Sequence, residues 1–268
     1  MGGFRGWGWS GPGPPVGEPF GLNTQSPQAR GLLAWYAPAA TPGTGVLHNR
    51  FRQTLIASRI AAWSRDIGPL ITAVATDVLA TTAIINFSMV AWLDWDGVDQ
   101  SRTVTYNGDP GANGYGFRIG DLTGGPGPKL GVMLGGQSWN ACLPGITLAP
   151  GANHVVATRG ATLWTTYLSA TVVGTGSLTP GVPSYGSISL PSNAFSRGLG
   201  DWRIYNRALA PAEVWQLYDP ATRWDLYRPL TRRLWAVTAP IVAGAVGIWG
   251  RRAELALPGG VTIGPVGG

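Results

Sequence analysis

The chain has one cysteine, one lysine, two histidines and three glutamates in 268 residues. A lone Cys142 excludes an intramolecular disulfide, so stability has to come from packing. Next to Ala141 and near a Pro-Gly turn, that cysteine reads as a small hydrophobe. With only His48 and His154 available, a Ser-His-Asp or Cys-His site has little to draw on for a base. His154 sits beside Val155 and Val156 and reads as a core histidine of a strand. No phosphate loop, dinucleotide fingerprint or Cys/His metal spacing occurs. The apolar stretch from Pro240 to Trp249 falls well short of the ~20 residues a membrane helix needs. The opening MGGFRGWGWSGPGPP lacks the apolar core of a signal peptide. The expectation is a product made and assembled in the cytoplasm, with no membrane partner.

Charge is also scarce. Asp, Glu, Lys and Arg make up 12% of the chain, against about 25% in an ordinary soluble domain, and thirteen tryptophans accompany the deficit. A freely diffusing monomer of this make-up would expose much weakly solvated surface. Coverage of that surface by other subunits is one reading; a hydrated Thr/Ser/Gly-rich surface is the other. The net charge of +6 is carried by arginines and the single Lys129. The arginines are scattered, and only Arg232-Arg233 and Arg251-Arg252 are adjacent. That argues against the basic stripe of a nucleic-acid binder and for pairing with acidic protein surfaces.

Glycine and proline are abundant, 41 and 22 residues. Between apolar runs they read as turns joining many short strands. Residues 1–18 and 237–268 have no such runs between them and read as extended arms. Trp7 and Trp9 in the first, with Ile248, Trp249 and Leu255 in the second, are the expected assembly contacts. Residues 19–236 form the expected folded domain. Leu32 to Ala37 is its first predicted strand. Ile60 to Trp63 and Leu70 to Val78 follow, although Phe51, Leu55 and Ile56 also allow a short helix over Arg50 to Arg65. Ile84 to Asp94 is the predicted central strand, with Phe87, Met89, Ala91 and Leu93 on one face. Thr103 to Tyr106 and Tyr115 to Ile119 flank a turn rich in Asn, Gly and Asp. Leu130 to Leu134, His154 to Arg159, Leu163 to Leu168, Thr171 to Gly174, Ser187 to Leu190 and Leu199 to Tyr205 continue the series. Strands every 10–15 residues or so with one late helix mean an antiparallel two-sheet sandwich.

That helix lies in the most informative segment, GLGDWRIYNRALAPAEVWQLY, from Gly198 to Tyr218. Trp202, Ile204 and Asn206 alternate with Arg203, Tyr205 and Arg207, the period of a half-buried strand. Pro211 suits a first helical turn, Glu213 favours the positive end of the helix dipole, and Val214, Leu217 and Tyr218 share a face. Asp219-Pro220 stops the run.

The same string resembles the closing segment of laminin-G-like, or concanavalin A-like, jelly-roll domains. Asp201, Arg203, Ile204, Tyr205, Asn206, Arg207, Ala208, Leu209, Glu213, Leu217 and Tyr218 stand at matching places. ANHVVATRGATLWTTYLSATVVGTGS, from Ala152 to Ser177, resembles an inner strand and the following hairpin of that family, with Asn153 where the family has Trp. The opening PFGLNTQSPQARGLLAWYAPA (Pro19 to Ala39) and the segment DPATRWDLYRPLTRRLW (Asp219 to Trp235) resemble such domains in tailed-bacteriophage proteins. The resemblance implies an all-β jelly roll with one short C-terminal helix. It also implies a virion structural protein whose partners are the major capsid protein, other virion subunits and copies of itself.

Glucanases of this fold need two glutamates on one strand face, whereas Glu18, Glu213 and Glu254 fall in an arm, the helix and the other arm. The expectation is therefore a non-enzyme, with no required cofactor. Asp94, Asp96 and Asp99 in DWDGVD could hold Ca²⁺, as many laminin-G-like domains do, or could simply cap a solvated strand end. Trp139, Asn140, Tyr115 and Asn113, in predicted loops, could bind a host glycan by stacking and hydrogen bonding. Trp139 packed over a sheet edge explains the same residues without a sugar. The expected role is a capsid decoration protein docking through its arms, and the alternative is a tail or fibre protein with a glycan-binding module.

Overall fold

The computed structural model describes residues 20–36, 47–49, 60–64, 68–71, 76–78, 85–99, 101–108, 112–120, 127–135, 146–179, 187–189, 198–229, 255–256 and 262–263. The chain divides into two units, Met1–Thr231 and Arg232–Gly268. In the first unit the strands are β1 (Phe20–Leu22), β2 (Leu32–Tyr36), β3 (Leu47–Asn49), β4 (Ile60–Ser64), β5 (Gly68–Ile71), β6 (Thr76–Val78), β7 (Phe87–Trp95) and β8 (Arg102–Asn107). They continue with β9 (Tyr115–Gly120), β10 (Lys129–Leu134), β11 (Ile146–Thr147), β12 (Gly151–Gly160), β13 (Leu163–Leu168), β14 (Thr171–Gly176), β15 (Ser187–Ser189) and β16 (Gly198–Tyr205). The helix α1 (Pro211–Tyr218) and β17 (Tyr227–Pro229) complete it. In the second unit β18 (Leu255–Ala256) pairs with β19 (Thr262–Ile263).

The strands form a jelly-roll sandwich of two antiparallel sheets. One sheet runs β11-β10-β9-β8-β15-β6; the other runs β14-β13-β12-β7-β16-β2-β3, with β4 and β5 attached beside β16. Between them lies a core that includes Phe87, Met89, Ala91 and Leu93 of β7, the face the alternation predicts. Phe117, Ile119, Leu130 and Val132 meet it from the other sheet, and Phe87 stacks on Tyr115 at 3.9 Å.

A second core covers the opposite face of the larger sheet. Val90, Val156, Tyr167 and Tyr205 there pack with Leu209, Val214 and Leu217 of the helical segment and with Trp224, Leu226 and Tyr227. This changes the reading of β16. Alternation predicts a half-buried strand, yet all eight of its residues are buried. Its polar face is sealed under α1 and the segment after it, so the polar side chains have to be satisfied inside the protein. β7, the other central strand, is likewise buried along all nine residues.

The helix begins as predicted. Pro211 occupies the first turn, the Glu213 carboxylate accepts the Ala210 N–H at 2.9 Å, and Val214 and Leu217 are buried. The chain then doubles back so that β17 pairs with β1, Phe20 opposite Pro229 and Leu22 opposite Tyr227. The Asn23 N–H and side-chain amide donate to the carbonyls of Leu226 and Asp225, both at 2.8 Å.

Four short strands, β1, β3, β11 and β17, have no counterpart in the sequence pattern, because two or three residues cannot display a period. The stretch from Leu70 to Val78 divides into β5 and β6, which belong to different sheets. Ile60–Ser64 is a strand, which excludes a helix there; the rest of the alternative helix, residues 50–59, lies outside the described residues. Gly114, at the start of β9, has φ +88°, and a Cβ there would fall on the Asn107 carbonyl oxygen.

Candidate functional site

The densest polar arrangement among the described residues lies beneath α1. Asp201 and Arg203, two apart on β16, project to the same side of the sheet and are both buried. The Arg203 guanidinium donates to Asp201 Oδ2 from Nε (3.0 Å) and Nη2 (2.6 Å), and from Nη1 to Gln28 Oε1 at 2.8 Å. Asp201 Oδ1 accepts the Trp35 indole N–H at 3.1 Å. Gln28 is held in turn, its amide donating to the Thr222 carbonyl at 2.6 Å. Its position comes from a 3-10 turn, Pro27–Ala29, opened by Ser26, whose Oγ accepts the Gln28 N–H at 3.2 Å. Burial alone would weaken the hold of Arg203 on its proton; the Asp201 carboxylate and the Tyr205 and Tyr227 hydroxyls outweigh it and raise its pKa. The pair is a permanent ionic clamp joining four parts of the chain.

A second pair sits at the helix start. Arg207 meets Glu213 through two bonds, Nη1 to Oε2 at 2.6 Å and Nη2 to Oε1 at 2.7 Å, while its Nε donates to the Arg30 carbonyl at 3.0 Å. The hydrogen bonds from Arg207 hold the Glu213 pKa below its ordinary value, against the opposing pull of burial. A carboxyl so held is ionised at neutral pH and cannot serve as a general acid. Gln28, Tyr205, Arg207, Glu213 and Gln216 line a recess of about 10 Å³ beside this second pair, room for a single water.

His154 lies on β12, opposite Trp92 of β7, with the two rings 4.8 Å apart and the Tyr218 ring 5.7 Å away. It is fully buried, and among the described residues neither ring nitrogen has a hydrogen-bond partner. Burial first, then the positive charges of Arg203 and Arg223, push its pKa down to about 3. At neutral pH it is an uncharged core ring, as the sequence predicts for a strand histidine.

The three calcium candidates differ in exposure. Asp94 is buried in β7, Asp96 is half-buried and accepts the Val98 N–H at 2.9 Å, and Asp99 is exposed. Among the described residues no group of three or more His, Cys, Asp or Glu side chains gathers as metal ligands. Tyr115 is corrected: it opens β9 and points into the core against Phe87, so no sugar can stack on it. Asn113 is half-buried, and its carbonyl accepts the Tyr106 hydroxyl at 2.9 Å. Trp139, Asn140, Trp7, Trp9, Ile248 and Trp249 lie outside the described residues. Leu255 pairs opposite Ile263 in the hairpin of the second unit. The clamp was missed by sequence reasoning, although Asp201 and Arg203 at strand spacing i, i+2 carried its signal. Gln28 carried none.

The family profile of concanavalin A-like lectins and glucanases (Laminin_G_3) matches residues 72–215. The chain belongs to this superfamily. Comparison with curated proteins finds no match. Among solved structures, the chain is similar to Trypanosoma rangeli sialidase at 16% identity and TM-score 0.46, over 70% of this chain and 32% of that one. It is similar also to domain 4 of AbnA, a GH43 extracellular arabinanase from Geobacillus stearothermophilus, at 14% identity and TM-score 0.47, over 70% of this chain and 98% of that one. The superfamily member described here spans about a third of the length of the sialidase structures it matches.

Proposed function

We propose that this chain is a non-catalytic structural protein of a tailed-phage virion, a capsid decoration protein that docks on neighbouring subunits through residues 1–18 and 237–268. The observation that carries the reading is where the two phage-like phrases lie. Residues 19–39 and 219–235 contribute both strands of the β1–β17 sheet and most of the bonds around Gln28 and Asn23. The two phrases thus meet in one closure that packs on the sandwich. The use made of the strongest polar groups also supports a non-catalytic role: Arg203, Asp201, Arg207 and Glu213 are occupied in holding that closure and the helix in place.

The test is particle binding. The full chain is expected to co-sediment with capsids of its phage at hundreds of copies per particle, and residues 19–236 alone to stay folded in the supernatant. Absence from every particle overturns the reading, and a few to a few dozen copies move the protein to the tail. Hydrolysis of a β-glucan that Glu213→Gln abolishes would overturn the non-catalytic part.

Membership of a superfamily that includes lectins supports a second reading, a tail or fibre module for host glycans. It requires glycan-array binding that weakens by about 1–3 kcal/mol on Trp139→Ala, the scale of a lost ring-stacking contact.

A further inference from the structure

We infer that Tyr218 to Arg223, the end of α1 and the turn after it, form an acid-sensitive latch over His154 that opens while the sandwich beneath it stays folded. The inference goes beyond the assembly reading and does not depend on it.

His154 is completely buried, and among the described residues neither ring nitrogen has a hydrogen-bond partner. Rings surround it instead of acceptors. Trp92 from β7 and Tyr218 from α1 lie nearly parallel, 6.0 Å apart, and the Arg223 guanidinium sits 5.0 Å from the Trp92 ring. The ionisable groups on the elements packed around it are Asp94 of β7, Asp201 and Arg203 of β16, Tyr167 of β13, Glu213 and Tyr218 of α1, and Asp219, Arg223 and Asp225 beyond the helix. Arg159, five residues along its own strand, falls on the other face. None of the carboxylates bonds the imidazole. Asp201 is closed on Arg203, Glu213 on Arg207, and Asp219 accepts the Ala221 N–H, while Asp94 stands opposite Ala152. A proton on His154 would thus meet two arginines and no acceptor, and the ring has to be uncovered to carry one.

The cover is thin. Trp92, with Ala152 and Tyr218 against it, is a small cluster apart from the two cores. Tyr218 and Arg223 are only half-buried. The backbone of the turn is closed mainly on itself: the N–H groups of Thr222 and Arg223 donate to the Asp219 carbonyl at 3.0 and 2.8 Å, and that of Asp219 to the Trp215 carbonyl at 2.8 Å. Side-chain bonds from Gln28 and Arg203 to the carbonyls of Thr222 and Arg223 fasten it to the body. Lifting it therefore parts no β-ladder. Beneath it β12 is paired along its length with β7 and with β13, so exposing His154 from below would dismantle the larger sheet. Partial openings follow the least costly route, and here that route is the turn.

Acid drives it. Covered, His154 takes up its proton at about 3, and its ordinary value is 6.5, so the open form gains the proton first as pH falls below 6.5. At pH 5 the open form is favoured about 30-fold more than at neutral pH. Acidification thus uncovers the Trp92 ring and the outer face of the sheet without unfolding the sandwich.

Hydrogen exchange followed by NMR on the full chain at pH 7 and pH 5, with each rate divided by the intrinsic rate at its pH, tests the latch. Protection of the Asp219, Thr222 and Arg223 amides should fall about 30-fold at pH 5, and that of β7, β9 and β12 should hold. In His154→Leu the fall should be absent, and His154→Gln, neutral and similar in size, should behave alike. Unchanged protection of the turn overturns the inference. So does a loss shared equally by β7 and β12, which would mean that acid opens the whole fold, or a fall of the same size in both variants.

Discussion

Arg203 reaches back along its own strand to Asp201, two residues earlier, and closes an ion pair at 2.6 Å in which both side chains are almost completely buried. Removing a charge from water is expensive, and what offsets the cost here is a set of hydrogen bonds: two within the pair, one to Gln28, one to the Arg223 carbonyl at 3.3 Å and one from Trp35. The pair thus fixes which stretch of the N-terminal region lies under the helix.

Breaking one side of the clamp should therefore be costly. Arg203→Met leaves the Asp201 carboxylate buried with the Trp35 indole N–H as its remaining partner among the described residues, and Asp201→Asn leaves a buried guanidinium without its counter-charge. Each is expected to lower stability by about 3–5 kcal/mol. The double variant Arg203→Met/Asp201→Asn should lose less than the sum of the two. Urea unfolding of the four proteins measures the coupling directly.

His154 should make the fold sensitive to acid well before its carboxylates respond. Its pKa is about 3 in the folded state against an ordinary 6.5, so between these values the unfolded chain binds the extra proton. Its effect on stability is therefore most favourable above pH 6.5 and declines as pH falls towards 3, by up to about 1.4 kcal/mol per pH unit. Glu213, whose pKa is lowered, stabilises the fold above the ordinary carboxylate pKa and loses that contribution as pH falls from there through its own lower value. In His154→Leu the decline between pH 6.5 and 5 should be nearly absent. Denaturant midpoints against pH for the two proteins test this, and parallel curves would refute it.

Gly114→Ala should disrupt the β8–β9 hairpin. The substitution adds a Cβ onto the Asn107 carbonyl and forces alanine to adopt φ +88°. The loss is expected to exceed the ~1 kcal/mol of an ordinary glycine effect. Gly151→Ala is the control: its φ of +105° carries the same conformational strain, but nothing lies within 4 Å of the added Cβ. The difference in melting temperature between the two variants isolates the clash.

Much of this fold is legible in the sequence, for identifiable reasons. β7, β9, β12 and β16 are six to ten residues long, enough for alternation to show. α1 is framed by Pro211 and Asp219-Pro220, which mark both ends. The outer core was not legible, because a strand covered on its second face by distant chain still alternates. Arg203 and Asp201 look like the solvent side of β16 until Gln28 and Trp35, more than 160 residues away in sequence, close over them. Tyr115 misled for the opposite reason. It opens a predicted strand right after Asn113-Gly114, where a first residue can face either way, and its ring turns inward.

The pairing of β1 with β17 has a consequence for synthesis. Phe20 finds its partner only when Pro229 has been made, and Leu32 of β2 waits for Tyr205. At about 5–20 residues per second, β1 remains without its mate for roughly 10–40 s of translation. The aromatic and aliphatic side chains around Trp35 emerge with nothing yet to cover them, so this sandwich cannot mature progressively from its N-terminus. It is closed only once residues 205–229 have been made.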